Sequence, residues 1–231
     1  MTVLRRIDSD GQDAAAHLAL GAALAEAVGA GEEPPSFRFF QCRPALLIGR
    51  HQPWIERPGL ETARRLSGGG TVYVDLGQLC WELIDRHDAT AMPHFDEVGA
   101  GLAAGLSRLG IDVRYRSGVG LETQAGKLGG VAGWTEGAVR LMQGTLFLAK
   151  ASAHAAARQC PTPVRLVSLE GLLGRLPAID AVKAAMLQGL ERTGLTLAPG
   201  ETGAAAWRSV ERWRVRLREE RFVLRGEIDG D

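Results

Sequence analysis

An α+β fold, a largely antiparallel mixed sheet flanked by helices, is what this sequence predicts. Two observations carry the prediction. Short apolar or alternating runs come in pairs around turn signals, the pattern of antiparallel hairpins, and Ala-, Gly- and Leu-rich segments of helical length are mixed among them. The composition agrees: 231 residues, 45% hydrophobic and 23% charged, make an ordinary globular chain long enough to bury a full core. No repeat, low-complexity tract or interdomain linker divides it, so a single domain over 1–231 is expected.

Residues 13–28 read as an Ala/Leu helix capped by Asp13 and ended by Gly29 and Gly31. It is apolar nearly all round, so it should pack against a sheet. Ser36–Gln41 alternates as a strand, and Ala45–Gly49 is a buried strand stopped by glycine. Residues 50–63, punctuated by Pro53 and Pro58, read as a loop and a short helix. Thr71–Val74 and Gln78–Ile84 are expected to form a hairpin about Asp75-Leu76-Gly77. A helix over Phe95–Leu109 leads to a strand at Ile111–Tyr115. Lys127–Trp134 and Val139–Phe147 make a second hairpin turning at Glu136-Gly137. A short helix at Ala151–Arg158, a loop over 160–168 and an amphipathic helix at Ile179–Gly194 follow. In the tail, Trp207, Val210 and Trp213 fall at helical spacing, one apolar stripe on an Arg/Glu-rich surface helix.

Two glycine-rich stretches carry the chemistry. Arg64-Arg65-Leu66-Ser67-Gly68-Gly69-Gly70-Thr71-Val72-Tyr73 sets two fixed cations beside three residues with no side chain to hold a ligand off the main chain. The N–H groups of such a triplet can point into one concavity and hold an anion. The plain alternative is a tight turn with solvated arginines. Arginines on one flank and an alternating strand on the other favour the anion loop. The second stretch, Gly126-Lys127-Leu128-Gly129-Gly130-Val131-Ala132-Gly133, contains a lysine in a chain that has only three, at 127, 150 and 183, against 24 arginines.

A formal net charge of zero and a pI near 7.0 argue against a nucleic-acid-binding surface. Cys42, Cys80 and Cys160 are odd in number and unpaired in spacing, so neither a disulfide framework nor a zinc site is expected, and a reducing, cytoplasmic setting follows. The N-terminus shows no apolar core of signal length. No run of about 18 apolar residues suggests a membrane span. Cys42 and Cys80 sit in strand-like runs and read as core. His17, His51, His87, His94 and His154 form no cluster.

Taken in order, these stretches resemble the lipoate–protein ligase A family, within the wider group of biotin ligases and lipoyl/octanoyl transferases. Leu47-Ile48-Gly49-Arg50-His51-Gln52-Pro53-Trp54-Ile55-Glu56 is similar to the family's Ile-Gly-Arg-x-Gln-(Asn)-Pro-Trp-x-Glu segment. Arg64–Tyr73 with Asp75-Leu76-Gly77 resembles its Arg-Arg-x-Ser-Gly-Gly-Gly run. Gly126-Lys127 with Gly130 and Ala132 resembles the strand bearing its essential lysine, and Gly144-Thr145-Leu146-Phe147-Leu148 its Gly-Thr-Leu strand. The matched segments span roughly residues 36–170.

The resemblance implies a class II aminoacyl-tRNA synthetase or biotin-ligase-like fold. It implies ATP-dependent activation of lipoate, with Mg2+, and transfer to a lysine of a lipoyl-domain or glycine-cleavage-type carrier protein, with no nucleic acid or membrane involved. Lys127 becomes the catalytic residue, drawing the carboxylate and the α-phosphate together. Arg65 becomes an anion contact, with Ser67 beside it and Gly68, Gly69 and Gly70 the ligand cradle. Thr71, Gly130, Ala132, Gly144 and Thr145 complete the binding set, and Val72 and Tyr73 line an apolar slot for the acyl chain. With about 60 residues after the matched region, no separate C-terminal lid domain is expected, so an accessory subunit is one way to complete both half-reactions.

The chain departs from the ligase pattern at Val74 and Gln143, where the family has histidines, and at Ser117-Gly118-Val119-Gly120, where it has an Asn-Asp pair. Gln78 leans toward the transferase branch. Cys160 lies at a distance from Lys127 and before a Val167-Ser168-Leu169 segment that both fit an acyl-accepting cysteine of that branch; such a thiol needs a depressed pKa, which a nearby lysine supplies. Two alternatives therefore stand beside the ligase: an octanoyl/lipoyl transferase using Cys160, and a non-catalytic binding module of the same fold. For Cys160 the plain alternative is a half-buried loop thiol.

Overall fold

The computed structural model describes residues 2–9, 13–86 and 94–228; His87 lies outside them. The chain begins with strand β1 (Thr2–Asp8) and helix α1 (Ala14–Gly29). Asp13 caps α1 as expected, its side chain accepting the Ala16 N–H. Strands β2 (Ser36–Phe40) and β3 (Ala45–Ile48) follow. The short helix expected in residues 50–63 is replaced by turns and irregular chain leading into β4 (Glu61–Arg64), which pairs parallel with β3. Pro53 and Pro58 keep that segment out of helical geometry.

Strands β5 (Val72–Val74) and β6 (Gln78–Arg86) do not form the expected hairpin. β5 pairs with β3 in a small sheet of order β4-β3-β5, whereas β6 enters the large sheet between β2 and a later strand. Asp75-Leu76-Gly77 is a handover between sheets. The Asp75 carboxylate accepts the Gly77 N–H and the Ser152 hydroxyl, which turns the chain away from a direct return.

Helix α2 (Phe95–Ser107), β7 (Arg114–Arg116) and β8 (Gly120–Thr123) come next. The expected second hairpin is present as β9 (Gly126–Glu136) and β10 (Val139–Phe147), turning at Gly137. The chain closes with α3 (Lys150–Gln159), α4 (Leu169–Leu173), α5 (Ile179–Glu191), β11 (Leu195–Pro199), α6 (Ala204–Arg216) and α7 (Glu220–Arg225).

The large sheet runs β11-β1-β2-β6-β10-β9-β8-β7. Only its β11-β1 and β1-β2 pairings are parallel, so the α+β, largely antiparallel architecture read from the sequence is the one observed. Helices cover both faces. Period-2 alternation sends Phe37, Phe39, Leu79, Trp81 and Leu83 toward α2 and α5, and Phe40, Cys80, Ile84 and Leu141 toward α1 and α6. β6 is therefore buried on both sides, and Trp81 stacks on Phe37. Under α1 the buried Arg38 guanidinium donates to Glu82 at 2.6 and 3.1 Å and to the His17 carbonyl at 2.9 Å. None of the described helices is long and apolar enough to cross a membrane.

Candidate active site

The loop between β4 and β5 reaches β9, where Gly68 N–H meets Gly133 O, and brings the two glycine stretches together. Between them lies a cavity of about 620 Å³ including its open mouth, bordered by Gly69, Gly70 and Arg65 on one side and Lys127, Gly130 and Thr145 on the other. Phe40, Leu47, Val72, Cys80, Val131 and Ala132 give it apolar wall. Gln143, Gly144, Gly118 and Val119 complete the lining. The combination of apolar slot, bare main chain and one ammonium suits a ligand with an apolar body and an anionic head.

The glycine loop is held from within. Arg65 is 4% exposed, and its guanidinium donates to Leu47 O at 2.7 Å, Gly68 O at 2.6 Å, Gly70 O at 2.7 Å and the Ser67 hydroxyl at 3.0 Å. Four of its five N–H donors are committed to the chain. Burial pulls its pKa down to about 10, so it remains a cation at neutral pH. The structure thus changes the role expected of Arg65: it shapes the loop from below and has at most one donor left for an anion. Gly68 changes too, because its N–H reaches Gly133 O at 3.3 Å and ties the loop to β9. Gly69 and Gly70 are the exposed part of the triplet, Gly69 with φ 81°.

Lys127 sits near the start of β9. Its N–H donates to Arg165 O at 2.8 Å and its carbonyl accepts Val167 N–H at 2.9 Å, so the segment after Cys160 runs along it as a short parallel bridge. Its side chain is half-buried and, among the described residues, makes no hydrogen bond or ion pair. Burial holds its pKa below the ordinary lysine value; Glu122, its cross-strand partner on β8, pulls the other way, and Arg116 adds repulsion. Glu122 is itself gripped by Arg116 through two bonds of 2.8 Å. An unpaired, half-desolvated ammonium facing a cavity is a cation held ready for an anion.

Of the residues nominated from sequence, Arg65, Gly69, Gly70, Val72, Lys127, Gly130, Ala132, Gly144 and Thr145 border this one cavity. Ser67 is buried beneath it as the partner of Arg65. Tyr73 is not in the slot: β5 alternation turns it to the opposite face, where it packs with Leu46, Phe147, Ala153 and Ala156. Thr71 borders a neighbouring depression with Arg57, Pro161 and Cys160, which meets the first only at Gly70. Lys127 and Cys160 are not brought together. Burial pushes the Cys160 thiol above its usual value while Arg57 pulls against it, the reverse of what an acyl-accepting thiol needs.

Phe40, Leu47, Cys80 and Val131 were missed as wall residues; only their alternation on strands beside the glycine loops could have flagged them. Among the departures, Gln143, Gly118 and Val119 border the cavity, whereas Val74 is core and does not. Among the described residues no carboxylate lines the cavity, and none form a group of three or more His, Cys, Asp or Glu side chains placed to hold a metal. The described cavity wall therefore offers no carboxylate to a Mg2+ ion, whose remaining ligands are ordinarily phosphates and water.

Fold and cavity together define an α+β domain with a pocket set between two glycine-rich stretches. A crystal structure of lipoate-protein ligase A bound with ATP matches with a TM-score of 0.82, covering 97% of this chain and 99% of that one at 19% identity. A chain from a structural analysis of a bipartite lipoate protein ligase and its E2 lipoyl domain from Thermoplasma acidophilum matches with a TM-score of 0.82 over 98% of this chain and 99% of that one at 19% identity. At these identities the likeness establishes the fold. A family model described as the lipoyl protein ligase A/B catalytic domain matches residues 13–191, and the chain belongs to that family. Among curated relatives, the lipoate-protein ligase LplJ of Bacillus subtilis is 27% identical over 124 residues, 50% of this chain and 38% of that protein. The human mitochondrial lipoyl amidotransferase LIPT1 is 46% identical over 56 residues, 21% of this chain and 15% of that protein. The chain thus matches well under half the length of these relatives.

Proposed function

We propose that this chain is a lipoate–protein ligase that works as one catalytic domain. Lipoate enters with its acyl body along Phe40, Leu47 and Val72, and its carboxylate stops at the Lys127 ammonium. Lys127 draws that carboxylate and the α-phosphate of ATP together and stabilises the charge that builds on phosphorus as pyrophosphate leaves. Gly69 and Gly70 let the main chain approach the resulting lipoyl-adenylate. A carrier-domain lysine then attacks the acyl carbon and expels AMP. A separate subunit that binds the carrier is compatible with this scheme, and the cytoplasm is the compartment it calls for.

The observation that carries the reading is the half-buried, unpaired ammonium of Lys127 on the same cavity as the bare glycine loop. The test is ATP–pyrophosphate exchange dependent on lipoate, with octanoate and biotin as comparisons. Lipoate-dependent exchange that Lys127→Ala lowers by at least about a hundredfold is the expected result. Exchange absent from the folded wild-type protein refutes it.

The short segment shared with a lipoyl amidotransferase favours a second reading, lipoyl transfer without adenylation. A lipoyl or octanoyl thioester on Cys160, found by mass spectrometry, would identify the cysteine-dependent form of it. Capture of a lipoylated carrier without turnover would point to a binding module.

A further inference from the structure

Arg64, next to the loop-shaping Arg65, does something the proposed chemistry does not require. Its side chain is turned the other way and is only 1% exposed. Its Nη1 group is shared among Gly49 O, Arg50 O and Gln52 O at 2.8, 2.8 and 2.7 Å. Its Nε donates to Val223 O at 2.8 Å and Nη2 reaches Leu224 O at 3.4 Å. One buried cation therefore joins the last carbonyls of α7 to the turn after β3, using peptide oxygens alone.

A second fastening lies beside it. Arg50 Nε donates to Gly226 O at 3.0 Å. Gly226 ends α7 with φ 77°, and a side chain there would overlap the Arg50 carbonyl. Phe222, 1% exposed, anchors the same turn in the core. The turn so gripped is the floor of the ligand loop: Arg50 N–H donates to Ser67 O at 3.0 Å and Arg65 N–H to Ile48 O at 3.0 Å. Gly49 lies against Gly69 so closely that a methyl group there would overlap its carbonyl.

We propose that α7 is a built-in buttress for the Gly68–Gly70 loop and that Arg64 is the positioning residue that couples them. Contacts run from Val223, Leu224 and Gly226 through Arg64 and Arg50 to residues 49–52, and from there to Ser67 and Gly69. A loop that must leave its own main chain bare for a ligand has no side chains with which to pack itself, so its rigidity has to be supplied from underneath. That the loop serves lipoate rests on the reading above; that α7 steadies it does not.

The test is hydrogen exchange on the full chain without ligand, comparing wild type with Arg64→Gln and Gly226→Ala. Expected is exchange at residues 66–71 faster by at least about tenfold, the change that follows loss of one charged hydrogen bond. Peptides from α1, β6 and β10 should keep wild-type protection, which excludes general unfolding. Gly226→Ala touches no cavity residue, so it decides the matter if Arg64→Gln fails to fold. Freed exchange in 220–226 with wild-type protection at 66–71 overturns the proposal, as does failure of both substitutions to release α7. Loosening of 66–71 with unchanged lipoate affinity supports the buttress and counts against the lipoate reading instead.

Discussion

Replacing Gly49 by alanine tests the site through a single added methyl group. The new carbon would lie 2.9 Å from the Gly69 carbonyl carbon and 3.2 Å from Arg65 Nη2, with the Gly69 oxygen nearer still. Carbon atoms rest about 3.5–4.0 Å apart, so the ligand loop must move outward by roughly 1 Å. It cannot slide independently, because Arg65 holds Gly68 O and Gly70 O from the same side. Overpacking of this kind costs about 1–3 kcal/mol, which in a chain of this length lowers Tm by roughly 2–12 °C. A 1 Å displacement of a positioning element costs on the order of a hundredfold in rate. Thermal unfolding and lipoate-dependent pyrophosphate exchange measure the two effects. Gly70→Ala is the matched control: its methyl meets nothing within 4 Å, and its backbone is not left-handed, so Tm should stay at the wild-type value. Wild-type Tm and exchange in Gly49→Ala would refute the tight stacking of the two segments.

Three further outcomes follow from the same geometry. Glu122 supports the Lys127 charge while burial and Arg116 oppose it, so Glu122→Gln should move the alkaline loss of exchange activity to lower pH; an unmoved pH–rate profile removes Glu122 from the site. Cys160→Ser should leave exchange and carrier lipoylation intact, since the thiol lies off the Lys127 cavity with its pKa raised by burial; lost activity there would favour the transferase reading. His17 is held neutral, its pKa lowered to about 3 by burial and by Arg38. Between about pH 6.5 and that value the unfolded chain binds a proton the folded chain does not, so stability should fall on acidification by up to about 1.4 kcal/mol per pH unit, read from urea midpoints, and His17→Gln should flatten the slope.

Local chemistry announced some elements and long-range pairing decided others. α1 was legible because Asp13 and an unbroken Ala/Leu run act within a few residues. The β9–β10 hairpin was legible because its partners are adjacent in sequence and turn at a glycine. β1 and β11 were not: Arg5 and Arg6 stand between Leu4 and Ile7, which bury into opposite faces of the sheet, and these two strands pair parallel across nearly the whole chain. The 71–84 hairpin was misread for the complementary reason. Asp75-Leu76-Gly77 is a genuine turn, but β6 can bury both faces only between β2 and β10, and that outweighs a short return onto β5.

The site divides in the same way. Residue types sufficed to nominate Lys127 and the glycine triplet, because a scarce lysine and three missing side chains are visible without coordinates. The directions of the flanking side chains were not visible. Tyr73 faces away because β5 is a strand and its neighbour Val72 takes the cavity side. Arg64 and Arg65 look equivalent in sequence, yet adjacent residues in an extended chain point to opposite sides. One therefore fastens α7 while the other fills the space under the triplet. Neither arginine has a carboxylate partner among its bonds to the described residues, and a buried guanidinium with many donors can be satisfied by converging peptide oxygens. A loop of glycines exposes such oxygens in abundance. The pairing of arginines with glycines is thus first a solution to building the loop, and the cation that borders the cavity without a hydrogen bond or ion pair to the described residues is Lys127.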